Sequence, residues 1–162
     1  MARLLELRRS LSLGQVTSNW VVVSACTILE TAAADLLEEQ LRTRKEATQS
    51  QLERRFIQEF SREINDSWPA RLDWLGRGFA VVLEEELKNL LLALIELRNA
   101  IAHNGQEFTA RQTADYNGLV KTKRILENRF GVQFHGNALM ITPSTGDAAV
   151  TIARQVASAL FR

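Results

Sequence analysis

The chain has 162 residues, 46% of them hydrophobic, with 20 basic and 19 acidic side chains and a formal net charge of +1. That length and apolar content suit one domain around a single core, and the near-neutral balance argues against a protein that coats nucleic acid by bulk charge, so any RNA contact has to be local. Cys26 is the only cysteine, which excludes an internal disulfide and a cysteine metal cluster, and its apolar setting in Ser24-Ala25-Cys26-Thr27-Ile28-Leu29 marks it as a small buried residue rather than a nucleophile.

Residues 2–12 carry Leu4, Leu5, Leu7 and Leu11 at helical spacing and predict a short amphipathic helix, interrupted at Gly14. A long helix is predicted from Thr17 or Ser18, either able to cap it, to about Arg44. Its apolar stripe is Val22, Cys26, Leu29, Ala33, Leu36, Leu37 and Leu41. The polar stretch 43–51 reads equally as a loop or an exposed continuation, ahead of a second helix containing Phe56, Ile57, Phe60 and Ile64. The longest uninterrupted apolar runs, such as Trp20 to Val23 and Leu90 to Ile95, are short, which argues against a membrane span. Arg3, Arg8 and Arg9 are mixed with Glu6 and lack a secretory apolar region, so the expected location is cytoplasmic.

Asn65-Asp66-Ser67-Trp68-Pro69 is the clearest break, since Pro69 disfavours helix before it and suits the first turn after it. Trp68, Leu72, Trp74 and Leu75 are expected to anchor the next segment, with Gly76 and Gly78 leading into a central helix. From Phe79 to Ala102 the pattern is helical. Leu87, Leu90, Leu91, Leu94, Ile95, Leu97 and Ile101 cover more circumference than one packing face requires, so this helix is central or covered by a second chain. Glu84-Glu85-Glu86 reads as an exposed acidic helix start that complements the dipole.

The end of the central helix is marked by Asn104-Gly105, residues that tolerate the left-handed conformation of a cap. At about 100° per residue, His103 shares a line with Asn99, Glu96, Leu92 and Lys88, whereas Arg98 lies about 140° away. A guanidinium, an amide and an imidazole thus border one polar strip, and histidine is the side chain suited to take and give protons near neutrality. After Gly105 a further helix is predicted from about Ala110 to Asn128, ended by Arg129-Phe130-Gly131. Val132-Gln133-Phe134 and Ala138-Leu139-Met140-Ile141-Thr142 flank His135-Gly136-Asn137 as a short hairpin, with His135 a turn residue. A last helix is predicted from about Asp147 to Leu160, after Pro143.

Arg98-Asn99-Ala100-Ile101-Ala102-His103 resembles the signature of the HEPN superfamily, an Arg often followed by a polar residue, with a His four to six positions later. The spacing recurs between Arg129 and His135, but that stretch crosses Gly131 into the hairpin and lacks the amphipathic helical setting. The Asn after Arg98, the Ala-His-Asn-Gly ending and the long apolar helix before it all look like the family. So does the upstream helix from Trp20 to Glu30, where an acidic residue follows an apolar run. The likeness covers roughly residues 15 to 105, with its specific part in 96–105.

The resemblance implies a mainly α fold: one HEPN-like antiparallel helical bundle over 1–162, its core at about 15–130 and a C-terminal hairpin plus helix at about 131–162. It further implies a homodimer in which two Arg/His pairs meet across a cleft and cleave RNA with neither metal nor cofactor, leaving a 2′,3′-cyclic phosphate and a 5′-hydroxyl. On that reading Arg98, His103 and Asn99 are catalytic, and Glu30 and Glu96 support them. The role implied is a toxin or effector of a bacterial defence or toxin–antitoxin system, with an antitoxin or defence protein as partner. In the antitoxin-modified branch a Tyr lies two residues after the His; Gly105 stands there in this chain, so nucleotidyl modification at that position is not expected. The alternatives are a catalytically inactive HEPN-like module binding RNA, a nucleotide or a protein, and a purely structural helical dimerisation protein.

Overall fold

A computed structural model describes residues 1–63 and 67–161; Ile64, Asn65 and Asp66 lie outside them. The described chain is mainly helical, in the order α1 (Ala2–Ser12), α2 (Ser18–Ala47), α3 (Gln51–Glu63), α4 (Trp68–Phe79), α5 (Glu85–Asn104), α6 (Ala110–Ala114), α7 (Tyr116–Phe130), β1 (Gln133–His135), β2 (Ala138–Met140) and α8 (Pro143–Leu160). Thr17 caps α2 by accepting from the Trp20 amide, and Ser67 caps α4 by accepting from Ala70, with Pro69 in the first turn. The polar stretch 43–51 divides: helix continues to Ala47, and Thr48–Ser50 forms the break.

Three boundaries differ from the sequence reading. Helix does not run on from Phe79. Ala80 turns left-handed (φ 55°, ψ 24°), and the Val81 amide bonds the Leu75 carbonyl at 2.9 Å, so Gly76 and Gly78 stay inside α4 and α5 starts only at Glu85. A left-handed alanine costs on the order of 1 kcal/mol, which the burial of Leu83 in the linker offsets. The predicted helix from Ala110 to Asn128 is two, because the Asp115 carboxylate accepts from the Gly118 amide at 3.0 Å and restarts the backbone as a new cap. The last helix begins a turn early, at Pro143, where the Thr142 amide donates to the Thr145 hydroxyl.

The core is built from three mutually packed helices, α2, α5 and α8, with α1 laid over α2 and α8, and α7 over α5 and α8. It therefore extends beyond residue 130: Ala149, Val150, Ile152, Ala153, Val156 and Leu160 of α8 are all buried. A Cβ at Gly146 would stand 2.8 Å from Leu11 Cδ2, so the missing side chain is what lets the start of α8 cross α1 closely. The α2 helix contains a window of mean hydropathy 1.6, long and apolar enough by composition alone to cross a membrane. Here its stripe of Val21, Val22, Ala25, Cys26, Leu29, Ala33 and Leu37 is buried in the core.

β1 and β2 form a hairpin with a two-residue turn at Gly136-Asn137, so His135 is not a turn residue but the last of β1, paired with Ala138, with Phe134 opposite Leu139 and Gly136 at φ 62°. Lys123 of α7 fastens it: its ammonium donates to the Gly136 carbonyl at 2.6 Å and sits 5.3 and 5.8 Å from the centroids of the stacked Phe134 and Phe108 rings. Replacing Lys123 with Met keeps the stem but removes the charge and the donor, and is expected to cost about 1–2 kcal/mol. Urea unfolding measures that loss, and faster hydrogen exchange at the Phe108 and Leu139 amides localises it.

Candidate functional site

The rotation of α5 is set by Leu90, Leu91, Ala93, Leu94, Leu97 and Ala100, all buried. That leaves Arg98 on the flank of the apolar face, half-buried, and His103 on the outer side, exposed. Arg98 Nη1 donates to Asn99 Oδ1 at 3.1 Å, while its Nε is buried without an acceptor. Among the described residues no carboxylate pairs with it; the ion pairs there involve other groups. A half-buried guanidinium without an acid lacks its usual compensation, and with Nη1 on Asn99 and Nε buried it keeps Nη2 and the second hydrogen of Nη1 for an oxyanion.

Glu30 comes near without closing that gap. It lies one turn beyond Cys26 on α2, and the Cys26 thiol points to the Leu94 carbonyl at 3.7 Å, so α2 runs past the flank of α5 that bears Arg98. Burial pushes the Cys26 thiol up from 9.0 to about 12, with Glu30 adding to the rise and Arg98 opposing it. Acid and guanidinium thus share the neighbourhood of one thiol without forming an ion pair. Because the folded state holds the proton more tightly than the unfolded chain, the stability from this neutral thiol is complete below about pH 9 and is lost as pH rises toward 12. The expected result is a steeper alkaline loss of stability in the wild type than in Cys26→Ala. A disulfide reagent should label the native thiol only after denaturant is added.

The histidine turn is fixed from an unexpected direction. Gly105 (φ 60°, ψ 37°) closes α5 on the Ala100 carbonyl, and Gln106 follows, also left-handed at φ 74°. The chain then docks on the hairpin: the Phe108 amide donates to the Asn137 carbonyl at 3.1 Å, and the Leu139 amide to the Gln106 carbonyl at 2.7 Å. The C-terminal hairpin therefore braces the turn that carries His103. No hydrogen bond orients the imidazole among the described residues.

Asn99 is half-buried and is engaged by Arg98. Glu96 is employed elsewhere: Gln112 donates through Nε2 to both its carbonyl, at 2.9 Å, and its carboxylate. Glu96 lies about 160° round the helix from Arg98, so the structure brings Arg98, Asn99 and the Glu30 vicinity together but leaves Glu96 as the anchor of α6. The residue missed by sequence reading is Gln112, which also completes a capping box with Thr109; the Thr-x-x-Gln pattern was the available signal. No group of three or more metal-binding side chains converges among the described residues. No family model, curated protein or solved structure matches the chain.

Proposed function

We propose that the protein is a metal-independent endoribonuclease of HEPN type, acting in the cytoplasm as the toxin or effector of a bacterial defence or toxin–antitoxin system. The observation that carries this reading is the unpaired guanidinium of Arg98, held half-buried on the helix segment that ends in an exposed imidazole, His103. Between them the outer surface of α5 presents Ile95, Asn99 and Ala102, a narrow strip on which a second copy could pack two-fold, so that two Arg/His pairs face one groove.

In that arrangement one His103 takes the proton of a ribose 2′-hydroxyl as its oxygen bonds to phosphorus. The partner copy's imidazolium protonates the 5′-oxygen as its bond to phosphorus breaks. The Arg98 pair stabilises the negative charge that accumulates on the non-bridging oxygens, and Asn99 holds the guanidinium in position. The products are a 2′,3′-cyclic phosphate and a 5′-hydroxyl, and DNA is spared because it lacks the attacking group. Incubation with total RNA in EDTA, followed by end-group analysis, tests the proposal; intact RNA, or fragments with 5′-phosphates, would overturn it.

A second reading is a HEPN-like module that binds RNA, a nucleotide or a protein without cleaving. One observation favours it: no described side chain orients the His103 ring. RNA binding without cleavage, unchanged in His103→Ala, would select it.

A further inference from the structure

At the other end of α5, roughly 16 Å along the axis from Arg98, a cleft of about 710 Å³ opens between α5, α7, α8 and α1. Its volume falls in the usual range for small-molecule sites, roughly 300–1,000 Å³. One wall is a polar strip on α8, where Thr151, Arg154, Gln155 and Ser158 recur at i, i+3, i+4 and i+7 while the opposite face of the same helix fills the core. Leu87 and Leu90 of α5 and Ala159 of α8 supply an apolar patch.

Three guanidinium groups reach the cleft, and they are not equivalent. Arg8 is held by Asp147 at 3.0 Å, and Arg129 is paired with Glu86. Arg154 has no ion pair among the described residues, and its Nε is buried without an acceptor. The remaining acid of the lining, Glu84, is exposed and screened by water, whereas Arg154 is half-buried. A guanidinium taken this far out of water without a counter-charge calls for an anion, and its fork matches one with several oxygens.

We propose that this cleft binds a small organic phosphate monoester, its phosphoryl group on Arg154 with Gln155 and Ser158 as further donors, and its carbon body along Leu87, Leu90 and Ala159. The number of donors decides for a phosphoryl group over a carboxylate, whose two oxygens would leave several of them unused. The site shares no residue with the Arg98/His103 strip and stands whether or not the chain cleaves RNA.

Phenyl phosphate is a suitable probe, with phenol, inorganic phosphate and benzoate as controls, titrated into the 162-residue chain and followed by amide chemical shifts. Phenyl phosphate is expected to shift the amides of Thr151, Gln155, Ser158 and Leu87 at concentrations on the order of 1 mM. Phenol should leave them in place, benzoate and inorganic phosphate should bind more weakly, and Arg154→Gln should weaken phenyl phosphate about tenfold or more. Ser158→Leu, an exposed position, should block the cleft while leaving the unfolding midpoint unchanged, which keeps the test valid if Arg154→Gln fails to fold. The proposal is overturned if phenyl phosphate gives no shifts at these amides, if either folded variant binds it as tightly as the wild type, or if benzoate binds equally well.

Discussion

Under the proposed ribonuclease mechanism, replacing His103 with alanine is expected to lower the rate of RNA cleavage by about two to four orders of magnitude and to leave the thermal unfolding midpoint where it was. The second half of that statement follows from position: the side chain is exposed on the last turn of α5 and makes no hydrogen bond among the described residues, so little of the fold depends on it. Loss of activity in this variant is then a chemical loss. Arg98 needs a different substitution, because its stem is half-buried on the flank of the core and alanine would remove packing along with charge. Arg98→Lys keeps the charge and much of the stem but gives up the planar fork, and a loss of at least about tenfold in kcat would point to bidentate phosphate contact. Wild-type rates in His103→Ala, measured in chelator on folded protein, would remove imidazole from the mechanism.

The largest stability effect is expected at Phe130. Its ring is 1% exposed and closes α7 against the shared core, immediately before the left-handed Gly131 at φ 67°. Truncation to alanine should cost about 3–5 kcal/mol from lost transfer energy and the cavity left behind. Against a typical total of about 5–15 kcal/mol, that is a large share of the stability. Phe161, half-exposed after the end of α8, is the matched control and should change stability by no more than about 0.5 kcal/mol. Urea unfolding of both variants decides: a Phe130→Ala loss below about 1 kcal/mol would mean that the site collapses around the cavity or that this part of the core is loosely packed.

Periodicity made the long helices legible. The stripe of Val22, Cys26, Leu29, Ala33 and Leu37 gave α2, and Thr17 was one of two caps readable at its start because cap chemistry is local, whereas Ser67 as the cap of α4 was not read. What failed was also local in kind but hidden in residues with weak preferences. Ala80 is left-handed although alanine disfavours that region, and the Leu75 carbonyl and buried Leu83 that hold it there are tertiary facts. Asp115 splitting α6 from α7 was marked only by an acid three residues before a glycine. The buried thiol was readable from its neighbours. The spacing of Arg98 and His103 was readable too, whereas the absence of an acid beside the guanidinium was not, since the spacing left Glu30 of the upstream helix as a possible partner. Only the packing of α2 against α5 keeps Glu30 from pairing with it.

The position of α8 has a consequence for how the chain comes into being. Its last two turns contribute Val156, Ala157 and Leu160 to the core, opposite residues of α1 and α2 made more than a hundred positions earlier. A nascent chain emerging from the ribosome must therefore hold the oily side of its first long helix open to solvent until α8 has emerged. It is exposed to chaperones or to self-association for that whole interval. The fold closes only once α8 has come back to meet α1 and α2.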